Sequence, residues 1–148
     1  MKRMMIVAAA AMITAAGAMG QPSYFSDEAR HKCSDLANAE QRYVLCLQAD
    51  NAGVIESALA HAVNMKLICP SVEFSKLKAE ITDLSKSGST PVTRYKAYLA
   101  GLVFENAPMF SRVRQAGYET PEELFRSVAT QVQMTLLDEG GREYAGAR

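Results

Sequence analysis

Three cysteines, Cys33, Cys46 and Cys69, lie in one stretch that closes on Pro70. They constrain the fold more than any other feature, because a covalent bridge decides which segments must be neighbours. Three thiols allow at most one internal disulfide, and the odd one is buried, reactive or paired with another molecule. Which pair can close depends on the helices that carry them. Tyr43, Val44, Leu47, Val54, Ile55, Ala58, Leu59, Ala62 and Val63 recur at the i, i+3, i+4 spacing of an amphipathic helix. On an unbroken helix Cys46 and Cys69 would stand ~30 Å apart at 1.5 Å per residue, whereas a disulfide needs Cα atoms within ~7 Å. That pair therefore requires a break near Gly53, where Asp50-Asn51-Ala52-Gly53 brings together poor helix formers. Cys33 and Cys46 instead lie symmetrically about Asn38-Ala39-Glu40-Gln41, a turn candidate with no Gly or Pro to enforce it. The expectation is a Cys33–Cys46 disulfide clasping a hairpin of helices over about 27–38 and 41–66, contributing about 3 kcal/mol through loop closure. Cys69 is then left over, either as a buried thiol or as an intermolecular bridge.

The N-terminus bears on the redox state. Met1-Lys2-Arg3 is a short basic segment, an alanine-rich apolar run follows, and Ala18-Met19-Gly20 offers small residues before Gln21. This is the pattern of a secretory signal peptide over residues 1–20. The apolar run Met4–Met19 is shorter than the ~20 residues that span a bilayer, which argues against an uncleaved anchor. No cysteine follows the expected cut, which argues against a lipid anchor. Export to the periplasm or beyond would place the thiols where disulfides persist. Without Lys2 and Arg3 the sixteen basic residues become fourteen against sixteen acidic ones, a net charge of about −2. With no basic excess, a nucleic-acid partner is disfavoured. The remaining residues suit one domain over 21–139, with a polar, mobile tail over 140–148.

Along the rest of the chain every segment reads as helix, and none alternates with period two over strand length. Phe74, Leu77, Ile81 and Leu84 mark a third helix, capped by Ser71 or Ser75 and stopped at Gly88. Thr90-Pro91 opens a fourth with a capping threonine and proline at the first helical position. It runs to about Asn106 and buries Tyr95, Tyr98 or Leu99, Leu102 and Val103. A short fifth helix carries Met109, Phe110 and Val113. Thr120-Pro121-Glu122-Glu123 forms a capping box for a sixth, ended by Gly140-Gly141. The fold class is all-α, a compact bundle of five or six short helices with an N-terminal disulfide-linked hairpin.

No catalytic constellation stands out. His31 lies two residues from Cys33, a spacing at which helical side chains do not face each other. The spacings among His31, Cys33, Cys46, His61 and Cys69 match no compact metal motif. His61, beside Ala58 and Ala62, reads as a half-buried packing residue, and Glu56 and Glu105 as surface acids. Small pairs at i, i+4, such as Ala97 with Gly101, would let helix axes approach closely. No cofactor, metal or enzymatic activity is expected. Tyr95, Tyr98 and Phe104 are either core or a partner surface on helix four.

The sequence resembles the Rap1a/Tai type of small exported proteins, which includes immunity proteins against type VI secretion effectors. The resemblance covers about residues 26–86. It rests on Cys33, the helix Tyr43-Val44-Leu45-Cys46, the run Ala49-Asp50-Asn51-Ala52-Gly53, and Cys69-Pro70 followed by an amphipathic helix. Ala49 stands where that family places an aromatic, Gly53 falls one residue late, and the family's C-terminal cysteine has no counterpart. The resemblance implies a helical periplasmic protein that binds and neutralises an effector or toxin, often as a homodimer, without embedding in the membrane once the signal is removed. Two other classes remain open, a periplasmic chaperone or stress protein and an assembly accessory of an envelope machine.

Overall fold

A computed structural model of the chain describes residue 25 and residues 33–145, with side chains through residue 138. The signal peptide expected at 1–20, the first turns expected at 27–32 and residues 146–148 lie outside the described residues. Six α-helices follow in order: α1 Cys33–Leu47, α2 Ala52–Ile68, α3 Ser75–Ser87, α4 Pro91–Glu105, α5 Ser111–Gln115 and α6 Pro121–Ala145. A 3-10 turn over Ala107–Phe110 leads into α5. No strand occurs among the described residues, so the all-α reading holds.

Helix α2 is the centre of the bundle and packs against α1, α4, α5 and α6. Its sequence dictates this. Ile55, Ala58, Leu59, Ala60, Ala62, Val63, Met65 and Leu67 are all buried, so buried apolar side chains take up more than half of its circumference, leaving one stripe of Val54, Ser57, His61 and Asn64 less covered. A helix with so wide an apolar face needs neighbours on several sides, and buried Ala58, Ala60 and Ala62 leave room for their axes to approach. Phe74, Leu77 and Ile81 from the α3 segment, Leu99 and Val103 from α4, Phe110, and Leu124 and Val128 from α6 complete the core.

The expected hairpin is present, but its turn and its staple differ from expectation. Asn38–Gln41 is helical, inside α1. Ala39, Glu40 and Gln41 are good helix formers, and nothing there interrupts them. The chain turns instead at Gln48–Asn51, where the Asn51 side chain accepts from the Gly53 and Val54 N–H groups, at 2.9 and 3.2 Å, and caps α2. Cys33 and Cys46 therefore lie on one helix, ~20 Å apart along its axis, and cannot bridge. The disulfide joins Cys33 to Cys69, with Cα atoms 5.7 Å apart. These two are each 18 residues from Asn51, so they meet at the open end of the α1–α2 hairpin. Cys69 is buried in that bridge, and the free thiol is Cys46, exposed in the last turn of α1.

Polar clamps reinforce the same end. The Lys66 side chain is almost fully buried, and its Nζ donates to the Pro70 and Val72 carbonyls, both at 2.9 Å. It holds the turn that carries Cys69 and sits at the helix end where the dipole favours a cation. Neither Ser71 nor Ser75 caps α3. Its N-cap is Phe74, which offers no side-chain acceptor. Glu40 of α1 supplies it from a distance: Oε1 accepts from the Lys76 and Leu77 N–H groups at 2.9 and 3.1 Å. Gly88 ends α3 as expected, in a tight place, because a Cβ there would lie 2.7 Å from the Leu84 carbonyl oxygen.

Thr90 caps α4 and Pro91 opens it. Thr120 caps α6 through the Glu123 N–H at 3.2 Å, while the Glu123 carboxylate accepts from Glu119 N–H at 2.9 Å. The helix does not stop at Gly140-Gly141 but runs through them to Ala145, so the expected tail begins at least six residues too early. Glycine inside a helix costs about 1 kcal/mol against alanine, a penalty and not a terminator, and no proline follows it.

Candidate functional site

The long α6 reaches beyond the core it helps to build. Its buried residues among those described are Leu124, Phe125 and Val128, all in the first two turns. Past Val132, which is partly covered, Met134, Leu136 and Leu137 stand 52, 63 and 67% exposed. Helix α4 runs beside it. The inward side of α4 carries Thr93, Ala97, Leu99, Ala100, Val103 and Phe104. Val92, Tyr95 and Tyr98, spaced by three, are left on the outward side, each about half exposed. Between the two helices runs an open groove. One section, of about 470 Å³, is lined by Val92, Tyr95, Phe125 and Ala129. The next, of about 600 Å³, is lined by Tyr95, Tyr98, Ala129, Leu136 and Leu137.

Of the three aromatic residues read as either core or a partner surface, Tyr95 and Tyr98 line this groove and Phe104 lies in the core. Phe104 is 7% exposed and packs against Phe74 at 6.4 Å between ring centroids. The difference is one of helical phase: Phe104 lies six residues beyond Tyr98, about a third of a turn out of register.

A charged latch closes the floor at one end. Lys96 is 7% exposed, and its Nζ contacts Glu56 of α2 at 2.8 Å and Glu122 of α6 at 3.1 Å. Glu56, expected on the surface, is mostly covered and also accepts from the Thr93 hydroxyl at 3.3 Å. The ammonium lies 5.7 Å from the centroid of the Phe125 ring, within cation–π range. Burial, the largest influence on Lys96, works to lower its pKa, but hydrogen bonds and attraction from Glu56 and Glu122 outweigh it, and the ammonium is held above its ordinary value. The hydrogen bond from Lys96 holds the Glu122 carboxyl below its ordinary value. One cation thus ties three helices together. Spacing could not show it, because Glu56, Lys96 and Glu122 come from three separated segments.

Two more features lie outside the groove. Tyr118 is buried between α5 and α6; its hydroxyl donates to the Val113 carbonyl at 2.7 Å and lies 3.0 Å from Ser127 Oγ. Burial pushes its pKa up. On the other side of the molecule, Cys46, Asn51, Val54 and His61 line a shallow hollow of about 370 Å³. His61 packs between the rings of Phe25 and Tyr43, at 5.3 and 5.8 Å, as its position beside small residues suggested. Asn51 is occupied with capping α2. Among the described residues no three His, Cys, Asp or Glu side chains are placed to hold a metal ion, and no helix is long and apolar enough to cross a membrane. The chain as a whole matches no family model, no curated protein and no solved structure.

Proposed function

We propose that this protein is an exported, non-enzymatic binding protein that takes a partner protein into the α4–α6 groove. The observation that carries this is the exposure of Tyr95, Tyr98, Leu136 and Leu137 along one continuous groove. An aromatic side chain carries about 150–250 Å² of surface, and half-exposed tyrosines beside bare leucines are costly to leave in water unless something covers them. Tyrosine is also among the residues that dominate binding energy at protein interfaces. The Cys33–Cys69 disulfide supports an oxidising compartment. The resemblance to Rap1a/Tai immunity proteins makes a secreted effector the partner of choice, neutralised by occlusion.

The test is co-expression with an effector encoded beside this protein's gene. Growth rescue by the wild type, and a complex that co-elutes on a sizing column, are the expected results. Tyr98→Asp should abolish both while leaving the circular dichroism unchanged. A wild type that neither rescues growth nor forms the complex would overturn the effector reading.

A further inference from the structure

We draw no further inference here: the strongest candidate, the apolar groove between α4 and α6, carries nothing beyond the reading above, because Arg126 and Arg112 share that groove and its neighbouring cleft with the carboxylates of Glu122 and Glu123 and nothing in the structure shows what covers it.

Discussion

The two sides of α2 are built on different terms. On one side α1, α2 and α3 are locked by groups that leave nothing to slide. Cys33 is bonded to Cys69, Glu40 caps the start of α3, Gln48 reaches Glu80 at 2.9 Å, and buried Lys66 holds the Pro70–Val72 carbonyls. On the other side α4 and α6 share a short apolar contact and one ammonium, and then diverge into a groove with tyrosines and leucines showing. The difference separates scaffold from working surface. A face closed by backbone clamps has no polar capacity left for a partner. A face held by a single ion cluster keeps its apolar area available, at the cost of local stability.

Removing the staple should produce the largest effect. In the chain-entropy account, a disulfide that closes a loop with a sequence separation of 36 contributes about 4 kcal/mol. Cys33→Ala combined with Cys69→Ala should lower the urea unfolding free energy by about that amount, and reducing agent should do the same to the wild type. Cys46→Ala, which touches an exposed thiol, should change it by less than about 0.5 kcal/mol. If the double variant lost under about 1 kcal/mol, the scaffold side would owe its rigidity to the caps and clamps alone.

Breaking the latch comes next. Lys96→Met leaves Glu56 mostly covered without its cation, and losing one partner of a fully buried pair costs about 3–5 kcal/mol. Glu122 is well exposed, and water takes over part of its role, so about 2 kcal/mol is expected here. The pH dependence has a definite sign. The Glu122 carboxyl titrates below its ordinary 4.5 in the folded state, so its contribution is complete above pH 4.5 and is lost as pH falls through the lowered value. Lys96 is raised above 10.5, so its contribution is complete below pH 10.5 and is lost only as pH rises through the raised value. Between these limits the latch is insensitive to pH. Denaturation at pH 7 and at pH 3 should show the wild type losing more stability on acidification than Lys96→Met does. Equal losses would show that the latch is not what ties α6 to α2 and α4.

The same division explains what the sequence could disclose. Features written within a few residues were legible. Thr90-Pro91 and Thr120-Pro121 both cap the helices they announce, because a cap is a contact between neighbours. Leu77, Ile81 and Leu84 face inward as their spacing says. The symmetry argument for the disulfide was also sound in form. It failed because it was centred on Asn38–Gln41, whose good helix formers carry α1 straight through, and not on the poorer helix formers around Asn51. Centred on Asn51, the same argument selects Cys33 and Cys69. Contacts between distant segments left no local trace: Glu40 with the start of α3, and Lys96 between two acids on other helices. The groove was half legible. Tyr95 and Tyr98 stood out as aromatics on α4, but the helix is apolar on several sides, and its spacing alone could not separate the exposed tyrosines from buried Phe104.

Two glycines give the smallest and cleanest test of the comparison, because they sit on opposite sides of it. Gly101 lies on α4 one turn beyond Tyr98, and a Cβ there would meet nothing within 4 Å. The close approach that its spacing from Ala97 suggested is not used at this point. Gly101→Ala should therefore stabilise the fold by about 0.5–1 kcal/mol, through the gain in helix propensity and the reduced freedom of the unfolded chain. Gly88 lies where α3 turns into α4, and a Cβ there would come 2.7 Å from the Leu84 carbonyl and 3.2–3.3 Å from the Arg94 and Thr93 side chains. The Arg94 guanidinium already donates to the Gly88 carbonyl at 2.7 Å, so that side chain has little freedom to retreat. Gly88→Ala should destabilise by about 1–2 kcal/mol, as overpacking does. Opposite signs in thermal melts of the two variants would confirm that the α4 surface is open while its root is closed. A loss of stability in Gly101→Ala would mean that something packs against this part of α4 in the free protein, and the comparison between its open surface and its closed root would fail.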